Sequence, residues 1–391
     1  MFALSLFLAA GLAAAAPLFE NDRIFPLHAE HNHASAIVEL PNGDLLVCWY
    51  RGAGERQADD VRVMGARKKK GAKAWSEPFV LADVPGFPDT NPTMFVDGKQ
   101  RLWLLWQTIV ANEWHTAISH MRVTSNWKGD GAPAFAGGEN LLVVPKNFAE
   151  RVKAFAEPLT KQPGRGAEWA REAITHANDK YFSRMGWMTR AHPVQLPSGR
   201  ILIPLYSDGF DFSLVAISDD DGRTWHSSEP MLSYGGIQPS IARQKDGTLV
   251  AYLRDNGPPP KRLLRSESKD NGETWSVAVD TDIPNPGSGS EVIVLQDGLW
   301  ALVNNDLEKG RHSLPVWLSD DEGKTWRWKR TIERDDRGEK AGSFHYPSIL
   351  QGKDGMIHVS YSYFDNQAPQ GQPRKTIKHA RFNVEWVKAG R

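Results

Sequence analysis

Six stretches of this chain repeat one pattern of hydrophobic and polar positions. In each, two short runs rich in Val, Ile, Leu and aromatic residues flank a polar turn containing glycine. Typical copies are Ala36-Ile-Val-Glu-Leu-Pro-Asn-Gly-Asp-Leu-Leu-Val-Cys-Trp49 and His192-Pro-Val-Gln-Leu-Pro-Ser-Gly-Arg-Ile-Leu-Ile-Pro-Leu-Tyr206. The turns fall at Gly43, Gly98, Gly199, Gly247, Gly298 and Gly355. Asn-Gly, Asp-Gly and Ser-Gly supply the positive φ that tight hairpins require. The runs have strand length and strand composition, so each copy reads as a buried β-hairpin.

A second repeat interleaves with the first. Ser218-Asp-Asp-Asp-Gly-Arg-Thr-Trp225, Ser268-Lys-Asp-Asn-Gly-Glu-Thr-Trp275 and Ser319-Asp-Asp-Glu-Gly-Lys-Thr-Trp326 all fit Ser-x-Asp-x-Gly-x-Thr-Trp. Their Trp residues are 50 and 51 apart, and degenerate copies end at Trp75 and Trp127, 52 apart. Ser and Asp side chains bond turn N–H groups, and Gly permits a left-handed residue. The box is therefore a fold marker without catalytic content. It is not an EF-hand loop: with Asp219 as the first position, Pro230 stands where the bidentate Glu belongs. One buried hairpin and one outer hairpin per period make a four-stranded propeller blade, and six periods predict an all-β, six-bladed β-propeller. Gly98 and Gly199 are 101 apart, twice the usual interval. The excess is assigned to residues 128–187, an insertion between blades two and three. Its segments 148–157 and 168–177 read as helix, which leaves either a surface excursion or a lid beside the pocket.

Charge narrows the function classes. The 391 residues carry 47 basic and 47 acidic side chains, so bulk charge recruits neither nucleic acid nor a membrane surface. Residues 1–16 resemble a secretory leader, an apolar run ending in small residues, with 17–391 as the propeller. The expected location is secreted or periplasmic, with no membrane contact after cleavage, and the expected state is a monomer. The one cysteine, Cys48, lies in an apolar run and reads as core. The Lys68-Lys69-Lys70 run reads as an exposed turn in place of the first box.

In a propeller the inner strands converge on the axis, and the residues that open them line one mouth. Here these are His31 and His33, Asp89 and Asn91, Arg190 and His192, Gln238, Glu291, and His345 with Tyr346. So polar and ionisable a set predicts a ligand site. His31 and His33 lie two apart and face one way on a strand. They read as acid/base groups, substrate contacts or plain hydrogen-bonded histidines. Two histidines without a third ligand are a weak zinc pattern, and no metal or cofactor is expected.

The boxes and these residues together resemble the sialidase superfamily, in its bacterial BNR-repeat branch, over roughly residues 30–364. The resemblance implies a pocket in which three arginines hold a substrate carboxylate. Arg254, in Tyr-Leu-Arg-Asp-Asn, matches the second arginine and Arg311, in Gly-Arg-His-Ser-Leu, the third. His33 stands where the first should be. Tyr346, in Phe-His-Tyr-Pro-Ser-Ile, matches the family's nucleophilic tyrosine, and Gln238 replaces the Glu that draws off its proton. Gln accepts no proton, and a phenol without a base is a poor nucleophile. Arg190 is expected to restore the third positive charge and Glu291 the missing carboxylate. The family's acid falls in the loop Arg51–Asp60, where Glu55, Asp59 and Asp60 remain open. For Arg254 and Arg311 the plain alternative is an ion pair bracing the blades. For Asp89 and Asn91 it is a turn. Three functions follow: a sialidase-like exo-glycoside hydrolase acting on a terminal acidic sugar of a glycan, a uronate polysaccharide lyase, or a non-catalytic glycan-binding propeller. Fold alone does not choose among them.

Overall fold

The computed structural model describes residues 15–390, so the expected leader lies almost wholly outside the described residues. Six four-stranded antiparallel sheets surround one axis. Their inner strands are His31–Glu39, Asp89–Val96, Val194–Gln195, Gly236–Arg243, Glu291–Val294 and Ser343–Gln351, which open blades I to VI in turn. Each pairs with the strand beyond its predicted turn, for example Ala36 with Cys48 and Ile37 with Val47. Turn glycines 43, 199, 247, 298 and 355 have positive φ, whereas in blade II Gln100 takes that conformation instead of Gly98.

Ring closure is a feature the repeats do not announce. Blade VI has three strands from the end of the chain, and Phe19–Arg23 adds the fourth, pairing from Phe19 opposite Phe382 to Arg23 opposite Lys378. The last blade lacks an Asp box and takes its fourth, outermost strand from the other end of the chain, which closes the ring.

The boxes hold their turns as expected. Ser218 Oγ accepts from Gly222 N, while Asp220 accepts from Thr224 N and Thr224 Oγ1. The same bonds recur at Ser268–Asp270 and Ser319–Asp321. Gly222 has φ +88°, and a Cβ there would lie 2.2 Å from the Trp103 ring of the preceding blade, so only glycine lets the turn seat on its neighbour. The core is a set of layers between blades. One joins Leu46 and Val63 of blade I to Leu104 and Trp106 of blade II, and another joins Ile37 and Val47 to Ile377 across the closure. Cys48 is fully buried in the first of these, and burial pushes its thiol up to about 12, as a core residue requires.

The long interval differs in extent from expectation. Residues from 128 to 140 still belong to the edge of blade II, whose fourth strand is Glu139–Asn140. The helical part is Phe148–Ala156, Arg165–Ala177 and Lys180–Arg184. Phe148, Val152, Ala173 and Ala177 pack with Trp187, Phe210 and Phe212, placing the helices behind the Ser207–Phe212 turn of blade III. Among the described residues, no helix is long and apolar enough to cross a membrane.

Candidate active site

Four inner strands carry the same irregularity at the same mouth. The pairing slips between His33 and Ala36, Thr90 and Thr93, Ile237 and Ser240, and His345 and Ser348. Inside each slip sits one left-handed non-glycine residue: Ala34 (φ 55°), Asn91 (45°), Gln238 (54°) and Tyr346 (49°). Such a conformation costs about 1–2 kcal/mol per residue, and a bulge re-aims the side chain it carries. Arg190 holds the bulge of blade VI. Its Nη2 donates to the carbonyls of Tyr346 and Pro347, and its Nη1 to that of Ser35 in blade I.

Tyr346 is the hub of the cluster. Its hydroxyl accepts from Arg254 Nη1 at 2.7 Å and from Gln238 Nε2 at 3.4 Å. Three guanidinium carbons lie near its ring centroid: Arg190 at 5.1 Å, Arg311 at 5.6 Å and Arg254 at 5.8 Å. Burial opposes the charge on Arg254, but Tyr346, Asp208 and Tyr206 outweigh it and its pKa is raised. Arg311 donates through Nη2 to the Gly287 carbonyl, and its Nη1 lies 2.6 Å from His345 Nδ1. His345 must then carry its proton on Nε2, 2.7 Å from Ser343 Oγ. Burial, then Arg311, holds His345 well below the usual histidine range, in keeping with a neutral ring.

His33 stacks on Tyr346 with centroids 4.4 Å apart, and its Nδ1 lies 3.1 Å from Ser362 Oγ. Burial and the neighbouring His345 and His31 also push it well below the usual range. It therefore brings no positive charge in place of an arginine. Nor does Arg190 present its charge as a free fork: its terminal nitrogens are spent on carbonyls, so it is a brace under the tyrosine.

Glu291 and His192 are corrected more fully. Glu291 accepts from His192 N and Nδ1, both at 2.7 Å, and from Ile349 N at 2.8 Å, so neither oxygen is free to serve Tyr346. His192 Nε2 meets the Ile37 carbonyl at 2.8 Å. Both residues line a cavity of about 620 Å³ that opens among Glu39, Gln195 and Gln351, where the inner strands end, at the opposite mouth. Asp89 is structural as well: it is fully buried and accepts from Val84 N, Trp106 Nε1 and Thr108 Oγ1. Asn91 reaches Tyr206 Oη at 3.2 Å and so supports the site from behind.

The carboxylates sort by environment. Asp60 is exposed and accepts from Ala53 N, which closes its own loop and turns it from the centre; Asp59 is exposed beside it. Glu55 accepts from Tyr50 Oη at 2.8 Å and lies 3.1 Å from His31 Nε2, while His31 Nδ1 meets Lys375 Nζ. Burial would raise Glu55, but His31, Tyr50 and Lys375 win and hold it below the usual carboxylate range. His31 thus positions Glu55. Asp208, which the sequence reading missed, is pushed up to about 6 by burial, against the pull of Arg254 and with help from Asp211 and Glu55. The family resemblance points to the loop after the second strand of blade I, whereas the same place in blade III, Tyr206-Ser-Asp208, holds this carboxyl and Tyr206. Among the described residues, no three His, Cys, Asp or Glu side chains are grouped to hold a metal.

A six-bladed ring with Asp boxes, and arginines around one tyrosine at its mouth, defines a propeller of the sialidase superfamily. The chain belongs to the BNR repeat-like domain family, which matches residues 143–359. It is 26% identical to an anhydrosialidase of Macrobdella decora over 189 residues, 43% of this chain and 24% of that protein. It is 29% identical to a sialidase of Paraclostridium sordellii over 136 residues, 30% of this chain and 32% of that protein. The match thus spans about a quarter to a third of these relatives' lengths. Among solved structures, a leech intramolecular trans-sialidase with 2,7-anhydro-Neu5Ac superposes with TM-score 0.68 at 14% identity, over 94% of this chain and 71% of that one. A Dyadobacter fermentans protein of unknown function gives 0.67 at 15% identity, over 93% and 98%. At such identities the structures share the fold.

Proposed function

We propose that this protein is an exo-acting glycoside hydrolase of the sialidase type that removes a terminal acidic sugar from a glycan. The supporting observation is the set of three guanidiniums within 6 Å of the Tyr346 ring, one donating to its hydroxyl. Arg254 and Arg311 take the sugar carboxylate, since charge-assisted bonds from arginine are among the strongest available. Tyr346 sets its oxygen toward the anomeric carbon and stabilises the positive charge that develops there, an exception to the two-carboxylate scheme. Both neighbours of that oxygen are N–H donors, so the Glu-to-Gln change leaves it without a base. Export is proposed on the leader-like apolar run of residues 2–16.

One observation favours a second reading. His33 lies beside Tyr346, ring centroids 4.4 Å apart, and an imidazole is the side chain that most readily exchanges a proton. A uronate lyase uses arginines to neutralise a carboxylate and such a base to take the adjacent proton.

Umbelliferyl glycosides of sialic and hexuronic acids, given to the mature protein and to Tyr346→Phe, test the proposal. Release of umbelliferone by the parent, reduced at least ~100-fold in the variant, is expected. No release from any acidic glycoside removes the hydrolase. Ultraviolet absorbance from an unsaturated product then identifies the lyase, and binding alone identifies a lectin.

A further inference from the structure

Most of the polar groups described around Tyr346 are engaged with one another. Arg254 bonds the phenol, Arg311 bonds Gly287, and Glu55 bonds Tyr50. Asp208 is the exception. It is half-buried, and no hydrogen bond or ion pair among the described residues claims its carboxyl.

Its turn is nevertheless firmly built. Asp211, left-handed at φ 56°, donates its N–H to the Ser207 carbonyl and accepts Asn256 Nδ2 at 2.6 Å. Asn256 Oδ1 in turn lies 3.4 Å from Arg254 Nη2, which ties this turn to the arginine on the phenol. From behind, Phe210 packs on Phe148 of the first inserted helix at 4.9 Å, and Phe212 on Trp169 of the second at 5.8 Å. A free carboxyl on a turn clamped from both sides is an arrangement for chemistry, since a group that only braced the fold would be bonded.

We infer that Asp208 is the proton donor to the leaving oxygen, and that the helical insertion exists to hold its turn in place. The inference rests on the hydrolase reading. The Asp208 proton passes to the glycosidic oxygen as its bond to the anomeric carbon breaks, and the bonding pair stays with that oxygen. The anomeric carbon, left cationic beside Tyr346, takes a water, whose proton returns to the Asp208 carboxylate. One water is consumed and the sugar and its alcohol are released. Burial, helped by Asp211 and Glu55, outweighs the pull of Arg254 and Arg56 on this carboxyl, with Tyr206 also close by, and keeps a useful fraction protonated up to about pH 6. Glu55 is held ionised and suits the donor's task poorly. Two carboxyls pushed apart in this way mark the acid and its partner.

The test uses whichever acidic sugar the parent turns over, carried once on umbelliferone and once on galactose. A phenolic leaving group departs without protonation, whereas an alcohol does not. Asp208→Asn is expected to lose about 100-fold or more in kcat on the galactoside and under about 10-fold on the umbelliferyl compound, a general-acid effect of ordinary size. Glu55→Gln is expected to affect both substrates alike. In the parent, kcat/KM on the galactoside should fall above about pH 6 while the umbelliferyl profile stays level, which needs no variant to fold. Equal losses on both substrates, or a galactoside profile without that fall, overturn the assignment and leave the hydrolase standing. A parent inert on every acidic glycoside overturns both.

Discussion

Replacing Glu291 by Gln tests whether this carboxylate is a brace or part of the chemistry. It starts the inner strand of blade V, is 2% exposed, and accepts from His192 ahead of blade III and Ile349 of blade VI. Through His192 Nε2 it is linked to Ile37 of blade I. In Glu291→Gln, an amide NH₂ must replace one oxygen. If the remaining oxygen keeps the His192 donors, the NH₂ faces Ile349 N–H. One buried donor is then orphaned, at about 1–3 kcal/mol. Where His192 is charged, its counter-ion is also lost, and breaking a buried pair costs about 3–5 kcal/mol in all. Burial lowers His192, but Glu291 more than compensates and its pKa is raised; burial raises Glu291, but His192 more than compensates and its pKa is lowered. The raised His contributes stability below about pH 6.5 that is lost as pH climbs through its folded value. The lowered Glu contributes stability above about pH 4.5 that is lost as pH falls through its own. The pair is whole between those limits. Urea unfolding followed by Trp fluorescence should therefore show a cost of about 3–5 kcal/mol near pH ~6 and about 1–3 kcal/mol near pH ~9. Turnover per folded molecule should stay near parent level. A cost that grows with pH, or lost turnover at unchanged stability, would refute the brace.

Two further changes probe the other mouth. A Cβ on Gly289 would lie 3.1 Å from Gln238 Oε1 and 3.2 Å from Tyr346 Cδ1, so Gly289→Ala should cost about 1–3 kcal/mol by overpacking and reduce kcat through the tyrosine; thermal melts and kinetics check both. Arg311→Met should weaken binding of the free acidic sugar at least ~10-fold by calorimetry, the value of a bond to a charged group; an unchanged Kd would return Arg311 to a purely bracing role.

The architecture was legible because its signals are local. Glycine turns and Ser-x-Asp-x-Gly-x-Thr-Trp boxes recur every 50 residues or so, and each reports a turn a few residues long. What escaped was non-local. Phe19–Arg23 joins blade VI through a pairing that spans the chain, and no pattern within five residues declares it. The fate of a polar strand end is also decided at a distance. Asp89 and Glu291 resemble pocket residues in sequence, yet each is consumed by three donors, some of them from other blades or strands. Asp208 was overlooked for the opposite reason: nothing in Tyr-Ser-Asp-Gly says that no partner will reach it.

The bulges explain why the residues at the mouth were named but not ranked. Alternation fixes which face a strand residue takes, and one extra residue reverses it. In Phe344-His345-Tyr346 and Gly236-Ile237-Gln238, the left-handed residue brings Tyr346 and Gln238 together, whereas His345 supports Arg311 and Ile237 is buried in the core. Blade I is bulged at Ala34, so the equivalent place there holds a methyl group and His33 falls beside the tyrosine as a neutral ring. The charge balance follows. Three guanidiniums converge on one phenol, Glu55 is already paired with His31, and Asp208 is largely uncharged below about pH 6. A neutral sugar entering this mouth would strip water from the arginines and return no charge, a net cost. An anionic one returns the charge in the geometry arginine binds best. On the proposed reading, Gln238 and His33 thus change the activation of Tyr346 without removing the demand for an acidic ligand.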